Sequence, residues 1–215
     1  MTDVFELTRK FNLPKPTTLI QVGASGGQEV ELFLHNDVTD TILIEPLDYP
    51  FDVLAEKTKT LPNYIPVKAL VHSENGVTVD FYVASNAGMS SSVLTPLRHL
   101  DIYPAVSFPQ KIQLVGYRLD TILDILHFRK TIRTKKYEML FIDVQGAELF
   151  VLKGSPELLQ NITYIWTEIG VGDGYVGAAE YIDLIHYLKL FSFQLVYFEC
   201  TPGGFGDALF VKNRT

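Results

Sequence analysis

The sequence predicts an α/β protein with one doubly wound, mostly parallel sheet and an antiparallel edge at its C-terminal end. Three observations support this prediction. Short apolar runs alternate with segments of helical spacing, a glycine cluster follows the first run, and several runs stop at an acidic residue. Parallel strands that are buried on both faces read as continuous apolar runs, and their ligands bind outside the carboxyl ends of the strands.

Length and composition favour a single globular domain in a reducing compartment. Of the 215 residues, 47% are hydrophobic and 20% are charged, which is ordinary globular usage. The net charge of −7 argues against nucleic acid as the main partner. Cys200 is the one cysteine, so no internal disulfide forms, and no run approaches the ~20 apolar residues of a membrane span. We expect a cytoplasmic protein with no membrane partner, and we make no prediction of its oligomeric state.

The first half of the chain predicts strands and helices in alternation. Residues 1–16 are expected to form a short amphipathic lead-in segment, and the domain is expected to occupy 17–215. Apolar runs predict the strands, and apolar residues three and four apart predict the helices. The predicted strands are Thr17–Val22, Thr41–Ile44 and Ile65–Leu70, and the predicted helices are Gln28–Asn36 and Phe51–Thr60.

The second half continues the pattern after a less regular middle. Asn86–Ser92 is predicted to be a small-residue loop, and Gln194–Glu199 with Ala208–Lys212 is predicted to form a closing antiparallel hairpin. The other predicted strands are Val77–Ala84, Lys111–Val115, Tyr137–Val144 and Ile162–Ile169, and the other predicted helices are Leu119–His127, Gly146–Lys153, one that begins at Ser155, and Ala178–Phe191.

A glycine loop and an acid indicate a nucleoside-containing cofactor. The loop, GASGG from Gly23, joins the first predicted strand to the first helix, where glycine lets the backbone approach a ligand closely. Glu45 ends the next strand 22 residues after Gly23, the position from which an acid bonds ribose hydroxyls. The alternative is that a strand-turn-helix corner needs glycine whatever it binds.

The spacing in the loop distinguishes between cofactors. A dinucleotide fingerprint requires glycines two and five residues after Gly23, and those positions hold Ser25 and Gln28. A nucleoside without phosphate, such as S-adenosylmethionine, needs only the close turn and the ribose acid. The sequence therefore favours S-adenosylmethionine over a nicotinamide dinucleotide.

A second motif places acids at the end of a later strand. The run LFIDVQGAE carries Asp143 after four apolar or nearly apolar residues and Glu148 at the start of the next helix. Asp143 is predicted to be functional because an acid otherwise terminates so apolar a strand poorly. Glu148 is either functional or an acid that favours the helix start.

These motifs together resemble the FkbM family of methyltransferases. The glycine loop, Glu45-Pro46, Leu119-Asp120, the aspartate-to-glutamate run and the trailing Leu152-Lys153-Gly154 occur in the order of that family. The resemblance covers about residues 18–170. It implies a class I methyltransferase fold, S-adenosylmethionine as the methyl donor, and transfer to an oxygen of a sugar, glycan or small natural product.

The resemblance also implies roles for individual positions. The methionine part of the donor would lie against the glycine loop and the ribose against Glu45, and the segment around Ala69 and Leu70 would flank the adenine. Asp143 would sit beside the sulfonium and the acceptor. The residues implied in cofactor binding are Gln21, Gly23, Ala24, Ser25, Gly27, Glu45, Pro46, Ala69, Leu70 and Asp143.

An alcohol acceptor also requires a base, and three acids are candidates. Asp143 is the first choice, with Glu148 and Glu168 as the others. The sequence departs from the family at two positions: Gln21 replaces an acid common at the end of the first strand, and Gln145 replaces a frequent glutamate. Paired acids could hold Mg²⁺, but Gln145 reduces the ligand set, and no metal site is predicted.

Two other functions remain open at this point. A nicotinamide-dependent oxidoreductase is disfavoured by the glycine spacing. A non-catalytic module that binds the nucleoside but has lost its chemistry is suggested by Gln21 and Gln145, and it is disfavoured by the retained acids at positions 45, 143, 148 and 168.

Overall fold

The computed structural model describes residues 3–132, 136–170, 174–201 and 204–213, and it confirms the predicted α/β class. Strands and helices alternate along most of the chain. The strands are β1 Thr18–Val22, β2 Asp40–Glu45, β3 Tyr64–Lys68, β4 Leu70–Val71, β5 Val77–Val83, β6 Gln110–Tyr117, β7 Met139–Ile142, β8 Tyr164–Gly170, β9 Phe193–Cys200 and β10 Phe205–Lys212. The helices are α1 Val4–Lys10, α2 Val30–His35, α3 Asp48–Thr58, α4 His99–Ile102, α5 Leu119–Phe128, α6 Glu148–Lys153, α7 Pro156–Asn161 and α8 Tyr181–Lys189.

The main sheet has seven strands in the order β3-β2-β1-β7-β8-β10-β9. Parallel pairing joins β3, β2, β1, β7 and β8. The predicted antiparallel edge is present, because β10 runs antiparallel to both β8 and β9. From β1 the chain builds outward to β3 on one side and later resumes at β7 on the other. The carboxyl ends of β1 and β7 therefore form a topological switch point, where ligands of such sheets bind.

Alternating side chains of the central strands pack into two cores, one on each face of the sheet. In β1, Leu19 packs with α1, α2 and α3 on one face, whereas Ile20 packs with α5 to α8 on the other. Both side chains are fully buried, as are Ile42 and Leu43 of β2. Burial on both faces explains why these strands read as unbroken apolar runs.

The lead-in helix α1 packs onto the first of these cores. Its residues Val4, Phe5 and Leu7 are buried, and the Asp3 carboxylate caps the helix by accepting the N–H of Phe5 at 2.8 Å. The division of the chain after residue 16 stays a prediction.

The prediction of one strand over Ile65–Leu70 was wrong at its C-terminal end. The chain leaves the main sheet after Lys68, and Leu70–Val71 pairs instead with β6 in a separate sheet of order β4-β6-β5. The predicted strands Val77–Ala84 and Lys111–Val115 belong to this small sheet. Their alternating exposure, with buried Phe81 on the covered face, suits a sheet with one open face rather than the centre of a doubly wound sheet.

Element bounds differ from the predictions by a few residues elsewhere. Helices α2, α6 and α8 begin at Val30, Glu148 and Tyr181, two or three residues later than predicted. Helix α4 was not predicted, since four residues are too short to show a helical period.

The glycine loop is held against the end of β7 by backbone packing. Gly23 has a φ of +84°, and a Cβ built there would overlap the carbonyl oxygen of Asp143. The N–H of Asp143 donates to the carbonyl of Val22 at 3.0 Å, and the N–H of Gly23 donates to the carbonyl of Ile44 at 3.0 Å. Any side chain at position 23 would force the ends of β1 and β7 apart.

Replacement of Gly23 by alanine should therefore lower the free energy of unfolding by more than ~3 kcal/mol, since backbone strain and overpacking add. Gly76→Ala is the matched control, because Gly76 has a φ of +74° but its added Cβ would meet no described atom within 4 Å. The control should lose only about 1 kcal/mol. Urea unfolding of both variants checks this, and equal losses would contradict the packing argument.

Candidate cofactor and catalytic site

A cleft opens at the switch point, where β1, β2 and β7 end. It encloses about 250 Å³ and is walled on the far side by the small sheet and by the predicted loop 86–92. Backbone, apolar side chains and carboxylates share its surface. The lining residues are Val22, Gly23, Ser25, Gln28, Glu29, Ile44, Glu45, Pro46, Ala69, Leu70, Val71, Phe81, Gly88, Met89, Ser91, Val93, Asp143, Val144, Gln145 and Ala147.

Most residues predicted to bind a cofactor line this cleft. They are Gly23, Ser25, Glu45, Pro46, Ala69, Leu70 and Asp143. The lining does not include Gln21, Ala24 and Gly27, which are buried, nor the predicted catalytic acids Glu148 and Glu168.

Glu45 closes the glycine loop and faces the cleft. One carboxylate oxygen accepts the N–H of Ser25 at 3.0 Å, and the other accepts the N–H of Leu47 at 2.9 Å. The side chain is buried, and this burial raises the pKa of Glu45 to about 7, against the opposing effect of the two N–H donors. Each oxygen has a second lone pair, so the carboxylate can also accept hydroxyl donors.

The surfaces on either side of Glu45 suit a nucleoside. Ala69, Leu70 and Phe81 supply an apolar wall of the kind a purine base needs, and the carboxylate supplies acceptors for ribose hydroxyls. The residues present therefore fit S-adenosylmethionine, whose chemistry needs no phosphate-binding groups.

Asp143, Gln145 and Glu168 form a hydrogen-bonded cluster at the ends of β7 and β8. The Gln145 side-chain amide donates to Asp143 at 2.8 Å and to Glu168 at 2.7 Å. Burial raises the pKa of Asp143 to about 6. Burial and the nearby charge of Asp143 raise the pKa of Glu168 well above its usual range. The interaction between the two carboxyls lowers the pKa of Asp143 and raises that of Glu168, so a proton on the pair is favoured at Glu168.

Glu148 is turned toward the backbone rather than the cleft. Its carboxylate accepts the N–H groups of Gly146 at 3.0 Å and Val144 at 3.3 Å, and it is 3% exposed. Burial raises the pKa of Glu148 to about 7. These contacts favour the alternative role considered for Glu148, an acid that holds the turn at the start of α6.

The buried side chain of Tyr175 contacts the acid cluster through Gln145. The Tyr175 hydroxyl lies 2.8 Å from the carbonyl of Ser90 and 3.2 Å from Oε1 of Gln145, so it can donate to either. The hydroxyl of Ser92 donates to the Gln145 carbonyl at 2.8 Å. The Tyr175 side chain is 2% exposed.

Two features of the site were missed by the sequence reasoning. Glu29 lines the cleft and accepts a hydrogen bond from the amide of Gln21 at 2.9 Å. Gly88 and Met89 of the predicted loop 86–92 close the cleft from the side of the small sheet. Glu29 reads from sequence as a polar position in a helix, and only the fold shows which way it faces.

The order of the main sheet, the glycine loop at its switch point and the carboxylate after β2 define an S-adenosylmethionine-dependent methyltransferase of the α/β class. The chain belongs to the FkbM family: the family model described as the methyltransferase FkbM domain matches residues 21–195. A related protein, the 2-O-methyltransferase NoeI of Sinorhizobium fredii, is 26% identical over 210 residues, which cover 94% of this chain and 82% of that protein.

Solved methyltransferase structures share the fold at low sequence identity. An S-adenosylmethionine-dependent methyltransferase from Aquifex aeolicus matches with a TM-score of 0.53 and 11% identity, over 97% of this chain and 88% of its own. M. capricolum TrmK, solved with S-adenosylhomocysteine, matches with a TM-score of 0.53 and 10% identity, over 100% of this chain and 70% of its own. These matches confirm the predicted fold class.

Two further observations concern membranes and metal ions. Among the residues that the structure describes, none of the helices combines the length and apolar character needed to cross a bilayer. Within the same ranges, His, Cys, Asp and Glu form no group of three or more arranged to hold a metal ion. Exclusion of nucleic acid and a cytoplasmic location stay predictions.

The buried acids make stability depend on pH. Because burial raises the pKa values of Glu45, Asp143, Glu148 and Glu168, the folded protein holds more protons than the unfolded chain between pH ~4 and ~7. The stabilisation that these protonated acids provide at low pH is therefore lost as the pH rises from ~4 to ~7. The melting temperature without cofactor should therefore be at least about 4 °C lower at pH 8 than at pH 5.

Scanning calorimetry across this range checks the expectation. Glu168→Gln, which removes one buried titrating group, should reduce the difference between the two pH values. Glu56→Gln, at a position whose side chain is 75% exposed, serves as the control and should leave the difference unchanged. A melting temperature that rises from pH 5 to pH 8 would show that other groups control the stability.

Proposed function

We propose that this chain transfers the methyl group of S-adenosylmethionine to a hydroxyl of an uncharged sugar or glycan. The observation that carries the proposal is the cluster of Asp143, Gln145 and Glu168 at the edge of the cofactor cleft. A carboxylate with a pKa of about 6 is a suitable base for a hydroxyl near neutral pH.

The charge of the cleft supports an uncharged acceptor. Glu29 and Asp143 contribute carboxylates to its lining, and Glu45, whose pKa is raised to about 7, contributes a third when it is ionised. Their negative potential disfavours acceptors that carry phosphate or carboxylate groups. The name of the relative NoeI, a 2-O-methyltransferase, supports oxygen as the methylated atom.

Each residue of the cluster has a separate part in the proposed mechanism. When bound, S-adenosylmethionine supplies an electrophilic methyl group on a sulfonium sulfur. Asp143 would accept the proton that the acceptor hydroxyl loses when it receives this methyl group. Gln145 fixes the Asp143 carboxylate by donating to it. Protonated Glu168 stabilises the charge on Asp143 without competing for the proton.

Correct placement of donor and acceptor would provide much of the rate enhancement that the base does not. Methyl transfer is an in-line displacement, so the protein gains most by holding donor and acceptor in the correct orientation. Gly88 and Met89 line the cleft on the side of the small sheet, and the Tyr175 hydroxyl holds the same segment by donating to the carbonyl of Ser90 at 2.8 Å.

A paired screen of acceptors tests the substrate class. Methyl glycosides and short neutral oligosaccharides should accept a labelled methyl group from S-adenosylmethionine. The 6-phosphate or the uronic acid of the same sugar should react at least about tenfold more slowly, because the acidic cleft repels it. Faster reaction of the charged member of each pair would overturn the proposed class.

Substitution of the two paired acids by their amides tests the assignment of the base. Asp143→Asn should lower kcat by roughly 10²- to 10⁴-fold, the usual loss for a general base. Glu168→Gln should keep kcat within about tenfold, because an amide can still donate to Asp143. In the unsubstituted protein kcat/KM should fall as the pH drops below about 6, where Asp143 becomes protonated.

The pattern of the two variants separates the candidates. A large loss in Glu168→Gln with full activity in Asp143→Asn would assign the base to Glu168. Binding of S-adenosylhomocysteine, which lacks the sulfonium charge, should change by no more than about threefold in either variant and so controls for folding. Binding of the cofactor with no transfer to any hydroxyl acceptor would instead favour the non-catalytic module.

A further inference from the structure

A buried amide holds Glu29 at the edge of the cleft. Gln21 is 1% exposed in β1, and its Nε2 donates to Oε2 of Glu29 at 2.9 Å. Glu29 immediately precedes α2 and lines the cleft. The amide therefore fixes one carboxylate oxygen and leaves the other available to a ligand.

The contact explains why an amide rather than an acid suits position 21. A carboxylate there would face the carboxylate of Glu29, whereas the amide offers it a donor. Among the described residues Oε1 of Gln21 has no hydrogen-bond partner, so Glu29 is the partner that this buried side chain has. Gln21 thus supplies the hydrogen-bond donor of this pair, and Glu29 supplies the carboxylate.

The position of Glu29 matches one end of the cofactor. Glu45, Ala69 and Leu70 mark the part of the cleft that suits ribose and adenine. Glu29 follows the glycine loop, and it lies close enough to Asp143 that its charge raises the pKa of that group. An elongated nucleoside whose ribose is bound at Glu45 would therefore extend its other end toward Glu29 and Asp143.

The charges of the cofactor complement these two carboxylates. S-adenosylmethionine carries two positive centres away from its base, the sulfonium and the α-ammonium. Asp143 is assigned to the sulfonium, because the proposed function makes it the base for the acceptor hydroxyl, which must approach the methyl group on that sulfur. The ammonium then has Glu29 as its acidic partner, and a charge-assisted hydrogen bond between them would contribute to affinity.

We propose that Glu29 binds the α-ammonium of S-adenosylmethionine and that Gln21 is the residue that positions it. The proposal rests on S-adenosylmethionine as the donor, and it assigns to residue 29 the charge that is missing at residue 21. It concerns recognition of the amino-acid part of the cofactor and is independent of which acceptor is methylated.

Calorimetric titration with two ligands tests the proposal. S-adenosylhomocysteine has the amino-acid part, and 5′-methylthioadenosine has the same nucleoside and sulfur without it. Glu29→Gln should raise the Kd for S-adenosylhomocysteine at least about tenfold, as for loss of one charge-assisted contact, and leave that for 5′-methylthioadenosine within about twofold. Glu45→Gln is the matched control and should weaken both ligands by similar factors.

A second variant tests the positioning residue. Gln21→Met keeps the size and removes the donor, so it should weaken S-adenosylhomocysteine by less than Glu29→Gln does and again spare 5′-methylthioadenosine. Thermal unfolding of each variant checks that the fold is retained.

The outcomes separate the possible failures. Equal weakening of both ligands by Glu29→Gln, or no weakening of either, would overturn the role of Glu29. Failure of the unsubstituted protein to bind either ligand would overturn the cofactor on which the proposal rests. If Glu29→Gln weakens S-adenosylhomocysteine but not 5′-methylthioadenosine, and no acceptor is methylated, the result would count against the proposed acceptor class alone. The role of Glu29 would then be supported.

Discussion

The site depends on one close backbone contact, that of Gly23 with the carbonyl of Asp143. Parallel strands end side by side, but their ends meet this closely only where one of them has no side chain. Hydrogen bonds from Gly23 to Ile44 and from Asp143 to Val22, both of 3.0 Å, fix the ends of β1, β2 and β7 relative to one another. The distance between Glu45 at the end of β2 and Asp143, which follows β7, depends on that arrangement.

The acids of the site differ in protonation because their surroundings differ. Asp143 accepts from Gln145 and from the Glu168 carboxyl, and these contacts offset part of its burial. Glu168 lies beside the charge of Asp143 and keeps its proton. One group of the pair can thus act as a base while the other supports it, which is the usual result when two carboxyls are placed in unlike environments. A cofactor with positive centres adds the counter-charge that the cleft lacks in its own lining.

The sequence predicted the parts of the structure that depend on local pattern. Strands of the main sheet were recognisable because both faces are buried, and Glu45 and Asp143 were recognisable because acids end apolar runs. The small sheet was misassigned because Ala69 carries no signal that the chain changes sheets between Lys68 and Leu70. The contacts of Glu29 and Gln145 were not predictable either, since each joins side chains whose relative direction is set by tertiary packing and, at Gln145, by a φ of +55°.

Gln145 is the residue on which the choice between catalyst and binding module depends most. As a departure from the glutamate that the family resemblance implies, it suggested weakened chemistry. In the fold a glutamate there would place a third carboxylate against Asp143 and Glu168, and the resulting repulsion would favour protonation of the base. The amide instead donates to both acids, at 2.8 and 2.7 Å, and its own oxygen lies 3.2 Å from the Tyr175 hydroxyl. Both ends of the Gln145 amide are therefore hydrogen-bonded, and its donor favours the ionised form of Asp143. This arrangement suits a site in which Asp143 acts as a base better than it suits a site that has lost its catalytic function.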